Sequence, residues 1–223
     1  MREGAIVRTI CNEGTGVMAL SSLLSAAQGY EHCRELIYID GSDEGIIPRV
    51  NDVLNMAKQL GWAVYVLRHK RAGHGADFVK GLRFAKALGW DRVHHFDDDV
   101  LVLPHWFAHS NIYEDCVQST QVLESSSIRG FDIEKPPGNN NHVSALAMTF
   151  HMRYLDEDVL EAMDDHKLSI FEDMKLCQVI RLQPNVVKGI GVCHRTRDTG
   201  QDYIRRVILG YADGSLVDGP PPE

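Results

Sequence analysis

Three consecutive carboxylates near the middle of the chain are the residues best suited to chemistry. Asp97, Asp98 and Asp99 stand between an apolar segment ending in Phe96 and the apolar run 100–103. Like charges at this spacing raise one another's pKa unless a cation neutralises them. Mg²⁺ and Mn²⁺ prefer oxygen ligands and need few protein carboxylates when a phosphate supplies the others. The triplet therefore predicts a divalent-metal site, with a solvated acidic turn as the alternative.

The elements before the triplet predict where it lies. Hydrophobic periodicity predicts strands at 5–10, 36–39, 63–67 and 92–96, alternating with helices at 17–27, 47–60 and 78–88. This rhythm indicates βαβ units and a mainly parallel sheet, whose strands all end at one edge. Ligands of open α/β sheets bind at that edge. The polar residues after the strands are therefore candidates, namely Asn12, Glu13, Asp40, Arg71 and the aspartate triplet.

The second half of the sequence is less regular. We predict a helix over 106–117, a strand over 121–128, a long polar loop over 130–142, a helix over 172–182 and a strand over 186–192. Residues 219–223 are expected to form a flexible tail. The sequence shows no internal repeat.

Composition restricts the class of protein. A length of 223 residues suits one domain, and a net charge of −8 argues against a broad electrostatic grip on nucleic acid. Five cysteines without CxxC spacing favour a reducing compartment. No apolar run reaches the roughly 18 residues of a membrane-spanning helix. We expect a cytoplasmic protein that meets a membrane, if at all, peripherally through its acceptor.

Four segments, in order, resemble glycosyltransferase family 2, whose members are inverting enzymes with the GT-A fold. The similarity covers about residues 5–107 and comprises Ile6–Glu13, Ile39–Asp43, Gly73–Gly75 with the following helix, and the DxD-like segment His95–Pro104. The resemblance implies an α/β, nucleotide-diphospho-sugar transferase fold with helices flanking the sheet. It also implies one domain over 1–218, with a nucleotide-sugar half over about 1–107 and an acceptor half over about 108–218.

The resemblance implies roles for the residues of the first half. Asp97 would contact the donor's ribose or sugar and Asp99 would bind Mn²⁺ or Mg²⁺, with Asp97 as a second metal ligand and Asp98 beside the donor. Asp40 would accept hydrogen bonds from the base or ribose, and Glu13 would lie near the same pocket. We also assign Arg8 to the donor, as a phosphate or base contact, with a structural ion pair as the alternative.

Two further assignments come from the second half. Asp173, in Phe171-Glu172-Asp173, resembles the general base that takes the acceptor's proton, although an acidic pair at a helix start also compensates the helix dipole. His194 follows a strand at the distance where several metal-dependent GT-A enzymes place a metal-ligating histidine, and imidazole suits Mn²⁺. A surface histidine in a basic loop is the alternative.

The sequence departs from the family pattern at the nucleotide end. Thr9 and Cys11 stand where proline and tyrosine are common, and Ile39 replaces the first aspartate of Asp-Asp-Gly-Ser. The base is therefore open, with a UDP-sugar as the favoured donor. The acceptor is a glycan, a lipid-linked sugar, a small molecule or a modified macromolecule, and a homo-oligomer is compatible with the sequence.

Other classes of protein compete with this interpretation. Gly14-Thr15-Gly16, with Asp40 after the next strand, approaches the dinucleotide-binding fingerprint of an NAD-dependent oxidoreductase. That assignment places Glu13 beside a pyrophosphate and leaves the aspartate triplet without a role. A sugar-nucleotide pyrophosphorylase also uses a related sheet and a metal, but it has a Gly-rich, basic first turn. A binding module without activity is the last alternative.

Overall fold

Strands and helices alternate through the first hundred residues, as the periodicity predicts. The computed structural model describes residues 1–9, 13–41, 45–68, 74–109, 116–126, 130–133, 146–164 and 183–194. The strands are β1 (Glu3–Thr9), β2 (Cys33–Asp40), β3 (Ala63–Arg68), β4 (Arg92–Asp97), β5 (Val100–Val102), β6 (Cys116–Ser126), β7 (Gly130–Ile133), β8 (Ala147–His151) and β9 (Gln183–His194). The α-helices are α1 (Glu13–Ala26), α2 (Pro48–Gln59), α3 (His74–Ala87), α4 (His105–His109) and α5 (Glu157–Met163). Short 3₁₀ turns follow α1 and β8, at Ala27–Gly29 and Met152–Tyr154.

The described strands form one mixed sheet in the order β3-β2-β1-β4-β8-β6-β9-β5, with β7 paired to β6. The first four are mutually parallel, because helices α1, α2 and α3 return the chain to the same end of the sheet. Strand β8 runs antiparallel to β4, and β6 runs antiparallel to β8. Strand β9 is parallel to β6 and antiparallel to β5. The predicted α/β class is confirmed, and the run of four mutually parallel strands comes from the first half of the chain.

Each face of the sheet has its own apolar core. Leu20 and Leu23 of α1 and Leu54 of α2 pack with Trp106 on one face. Phe78 and Leu82 of α3 pack with Leu160 of α5 on the other. A strand covered on both faces is buried at every position, which explains why β1 is apolar between its charged residues.

Helix ends follow local chemistry. Pro48 occupies the first turn of α2, where no backbone N–H is needed. Gly61 adopts a φ of 85° just after the helix, a conformation that favours glycine. In α5, the side chain of Asp156 accepts a hydrogen bond from the backbone N–H of Val159 at 2.9 Å.

The second half corrects several sequence-based assignments. The predicted helix over 106–117 is confirmed at 106–109, which belong to α4, and is wrong at 116–117, which begin β6; residues 110–115 lie outside the described residues. The predicted loop is wrong at its start, where Gly130–Ile133 forms β7. The strand predicted over 121–128 begins earlier, at Cys116, because β6 pairs along its length with β9. Long-range pairing outweighs local periodicity in both cases. The strands β5 and β8 and the helix α5 were not predicted.

Other assignments lie outside the described residues. They are the helix over 172–182, the remainder of the polar loop after residue 133 and the tail over 219–223. The division of the domain at about residue 107 stays a prediction. Within the part of the chain that the structure describes, no helix is both long and apolar enough to cross a bilayer.

Candidate functional site

Four strand ends meet at one edge of the sheet and carry the predicted donor contacts. Thr9 pairs with Asp40 at the ends of β1 and β2, and Arg8 pairs with Asp97 across β1 and β4. Arg68, which closes β3, pairs in turn with Asp40. The parallel register therefore gathers residues from separate parts of the sequence along one edge.

Arg8 and Asp97 form an ion pair at this edge. The guanidinium Nη2 lies 2.5 Å from Asp97 Oδ1, and the Arg8 side chain is fully buried. His95 Nε2 lies 3.9 Å from the same carboxylate oxygen. The ring of His95 contacts Phe78, with centroids 4.6 Å apart, so this pair belongs to the α3 face of the sheet. The structural ion pair, one of the two roles considered for Arg8, is present, and a contact with the donor stays a prediction.

Asp40 and Asp98 surround a buried phenol on the opposite face. Tyr38 belongs to the core beneath α1. Burial, together with the nearby charges of Asp40 and Asp98, raises the pKa of Tyr38 to about 12, against the effect of a hydrogen bond with Thr9. Both aspartates are buried. Asp97 is therefore paired with Arg8, whereas the charge of Asp98 acts on Tyr38.

Arg68 is a site residue that sequence reasoning missed. Its Nε lies 3.6 Å from Asp40 Oδ2, although the Arg68 side chain is largely exposed. Gly45 has a φ of 94°, and a Cβ at that position would collide with the Arg68 guanidinium. The sequence places this arginine directly after the third predicted strand, but the prediction selected Arg71 instead. Arg71 lies outside the described residues.

Strand β5 brings His194 to the acidic turn. Asp98 and Asp99 form the turn between β4 and β5, and Val100 is the register partner of His194 in antiparallel β9. Residues paired in this way have Cα atoms about 4.5–5.5 Å apart. The backbone of His194 is thus one residue removed from Asp99. The structure thus brings together the backbones of Asp99 and His194, two of the three residues assigned as metal ligands, and metal binding by them stays a prediction.

Strand β6 adds an acidic residue to the same row. Glu124 is the parallel register partner of His194, so the backbone positions of Glu124, His194 and Val100 lie side by side across β6, β9 and β5. Sequence analysis did not select Glu124, because the pairing of β6 with β9 could not be predicted from the sequence.

The residues of the edge fit a cation shared with a phosphate. Among the side chains that the structure describes, no group of three or more histidine, cysteine, aspartate or glutamate residues is arranged to hold a metal ion by itself. Asp99 offers a carboxylate, and His194 stands at the adjacent register position. One carboxylate and one imidazole suit Mn²⁺ when phosphate oxygens and water complete the shell.

The start of α1 lies against the same edge. A Cβ built on Gly16 would be 3.1 Å from Thr9 Oγ1 and 3.4 Å from Tyr38 Oη, so the first turns of the helix pack on the ends of β1 and β2. Glu13 is the first residue of this helix, which places its backbone at the candidate site. The remaining assigned residue, Asp173, lies outside the described residues.

This geometry argues against a dinucleotide-binding site. Gly14 and Gly16 lie inside the first turn of α1, so they do not form the strand-to-helix loop that approaches a pyrophosphate. The strand next to β4 is antiparallel β8, whereas a doubly wound dinucleotide-binding sheet continues with a parallel strand.

Comparison with known proteins finds a match in structure alone. No family model and no curated protein matches the sequence. The fold is similar to the crystal structure of GalNAc-T7 with UDP, GalNAc and Mn²⁺, with a TM-score of 0.62 and 14% sequence identity. The match covers 94% of this chain and 49% of that one, so the chain spans about half the length of GalNAc-T7. GalNAc-T7 is a GT-A fold glycosyltransferase. This chain has a GT-A-like fold. The similarity bears on the fold, and membership of family 2 stays a hypothesis.

Proposed function

We propose that this protein is a metal-dependent, inverting glycosyltransferase that moves a sugar from a nucleoside-diphosphate sugar, with a UDP-sugar favoured, onto an acceptor hydroxyl. One observation carries the proposal. The pairing of Val100 with His194 brings the backbone of His194 close to Asp99, although His194 and Asp99 are far apart in sequence, and this supports their assignment as metal ligands.

The donor lies across the strand ends in this proposal. Asp40 accepts hydrogen bonds from the base or ribose, and Glu13, at the start of α1, borders the same region. Asp97 and Asp98 approach the ribose or sugar from the turn after β4. The diphosphate then extends toward Asp99 and His194.

The transfer requires one base and one stabilised leaving group. Asp173 takes the proton from the acceptor hydroxyl, and the acceptor oxygen forms a bond to the sugar's C1 as the bond from C1 to the diphosphate oxygen breaks. Attack from the face opposite the leaving group inverts the configuration at C1. Asp99 and His194, with Asp97 as a further ligand, would hold a Mn²⁺ or Mg²⁺ ion, which would supply charge stabilisation for the departing nucleoside diphosphate. Protons and electron pairs balance, since the acceptor's proton ends on Asp173.

Chemistry seen in the structural neighbour supports the choice of ligands. GalNAc-T7 was crystallised with UDP and Mn²⁺, which are a nucleoside diphosphate and the cation that the donor set here suits. The proposed acceptor remains a glycan, a lipid-linked sugar, a small molecule or a modified macromolecule.

Calorimetric titration with UDP, in the presence and absence of Mn²⁺, tests the proposal. We expect binding that depends on Mn²⁺ and is lost in Asp99→Asn, because the cation then lacks its carboxylate. Asp52→Asn, on the exposed side of α2, removes a similar charge away from the edge and serves as the matched control. UDP binding that is equally strong without Mn²⁺ and in Asp99→Asn would exclude the proposed site.

A further inference from the structure

The β1–β4 ladder carries a charge pair in direct register at each of its ends. Glu3 pairs with Arg92 at one end, and Arg8 pairs with Asp97 at the other. Arg92 Nη1 lies 3.3 Å from Glu3 Oε1, and Arg8 Nη2 lies 2.5 Å from Asp97 Oδ1. All four side chains are largely or fully buried. The same two strands thus provide two arginine–carboxylate pairs that can be compared directly.

The pair at the first end belongs to a network inside the core. Glu3 also accepts hydrogen bonds from Tyr30 Oη at 2.7 Å and from His94 Nε2 at 3.2 Å. Arg92 reaches His151 Nε2 at 3.1 Å. These partners lie at the opposite edge of the sheet from the acidic turn, so this pair has a structural role.

The pair at the second end borders the proposed donor site. Asp97 retains 13% side-chain exposure and is followed directly by Asp98 and Asp99. A buried arginine–carboxylate pair is poor evidence for stability, because apolar residues of similar volume often replace such a pair without loss. Arg8 interrupts the otherwise apolar strand residues Ala5–Val7 at the one position that faces Asp97. Stability alone does not account for its presence.

We propose that Arg8 is a positioning residue, which acts on the donor through Asp97 and does not itself bind the donor. Its guanidinium donates from Nη2 to Asp97 Oδ1 and so restrains that carboxylate, and its charge offsets one of the three negative charges of the aspartate triplet. The proposal rests on the proposed function. It assigns Arg8 an indirect effect on the donor in place of the direct contact predicted from the sequence.

A neutral double variant separates positioning from stability. Arg8→Met with Asp97→Asn removes both charges together, so no buried charge is left without its partner. We expect this variant to fold with a thermal midpoint near that of the wild type. We also expect its Kd for UDP with Mn²⁺, and its KM for the donor, to rise about tenfold, the effect of losing one hydrogen bond to a charged group. Asp97→Asn alone is expected to lose stability and to show the same Kd as the double variant, because Arg8 acts on the donor only through Asp97. A Kd raised further in the double variant would show that Arg8 contacts the donor directly.

The pair at the opposite end of the ladder provides the control. Arg92→Met with Glu3→Gln removes a buried pair of the same kind from the same strands, and it is expected to change the thermal midpoint while leaving the Kd for UDP with Mn²⁺ unchanged. Should the Arg8 double variant fail to fold, Arg8→Lys retains the charge and removes the planar fork. A raised Kd in folded Arg8→Lys supports the positioning role.

The outcomes that would overturn the inference differ from those that would overturn the proposed function. A folded double variant, or a folded Arg8→Lys, with wild-type affinity shows that the pair is structural alone. A wild-type protein that binds no nucleoside diphosphate with Mn²⁺ overturns the proposed function, and the positioning role with it.

Discussion

Glu3 is a buried carboxylate that its neighbours keep ionised. Burial by itself would raise its pKa, but hydrogen bonds from His94 and Tyr30 and the charge of Arg92 outweigh burial and bring the pKa to about 2. Trp106 Nε1 donates to His94 Nδ1 at 3.3 Å, so the proton of the neutral imidazole resides on Nε2, facing Glu3. Burial lowers the pKa of His94 and keeps this ring neutral.

This network predicts loss of stability in acid, in two pH windows. The unfolded state takes up a proton on His94 below its ordinary pKa of 6.5, while the folded state resists protonation, so stability declines as the pH falls below that value. Glu3 stabilises the fold above its ordinary pKa of 4.5, and this contribution is lost between 4.5 and about 2. Urea unfolding across this range should show the free energy of unfolding falling by roughly 2 kcal/mol in the lower window. In Glu3→Gln this part of the loss should disappear, while other carboxylates of lowered pKa, such as Glu35, still contribute. A loss as large as that of the wild type would contradict the assignment.

Asp173 is the residue assigned as the general base of sugar transfer. We expect Asp173→Asn to abolish sugar transfer, a loss of about 100-fold or more for a missing general base, while the affinity for UDP with Mn²⁺ stays that of the wild type. Initial rates of transfer together with calorimetry check both parts. Transfer at the wild-type rate would remove Asp173 from the mechanism. Parallel loss of nucleotide affinity would instead assign it to donor binding.

At the scale of elements, close contact between Gly4 of β1 and Trp90, two residues before β4, restricts how the two strands approach each other. A Cβ on Gly4 would overlap the indole ring of Trp90. That ring is 3% exposed, and its Nε1 donates to Glu35 Oε2 at 3.0 Å, so it has no easy alternative position. Arg2 binds the same carboxylate through Nη2 at 2.8 Å. Glycine is required here for space.

Gly4→Ala is therefore expected to destabilise the protein by about 1–3 kcal/mol, because the extra methyl forces the ring and its hydrogen bond to shift. Gly29→Ala is the matched control, since no atom lies within 4 Å of a Cβ at that position. Its effect should stay within about 0.5 kcal/mol. Urea unfolding measures both. Equal stabilities of the two variants would show that Trp90 moves without cost.

At the scale of the whole molecule, the sheet joins strands from the two halves of the chain through two antiparallel pairings. Strand β8 lies beside β4 and runs antiparallel to it, so it extends the sheet beyond the four parallel strands. Strand β9 then returns to β5, which directly follows the acidic turn. The proposed metal ligands come from these two parts of the chain, so the cation would lie where they meet.

Removal of the cation should therefore stop transfer in the intact protein. We expect EDTA to abolish activity and to remove the thermal stabilisation by UDP, since the diphosphate then meets uncompensated carboxylates. Added Mn²⁺ or Mg²⁺ in excess of the chelator should restore both. A full rate in metal-free buffer would exclude a catalytic metal.

The sequence by itself determined the parallel half of the sheet and the edge at which its polar residues gather. Apolar periodicity is local, and right-handed crossovers leave little choice of topology, so Asp40, Asp97 and Asp99 could be assigned to one edge before any coordinates. Resemblance to a family added His194 as a candidate metal ligand. That the backbone of His194 lies close to Asp99 could not be derived from the spacing of the two residues in the sequence.

Only the tertiary structure decided which residues of different strands pair with one another. The Arg8–Asp97 pair, the approach of Arg68 to Asp40 and the row joining Glu124 to His194 arise from register between strands that are distant in sequence. Register depends on side chains packing across the whole sheet, and a shift of one residue would turn each of them to the other face. For the same reason the part of β6 before residue 121 and the whole of β7 escaped prediction, because their strand character comes from the strands they pair with.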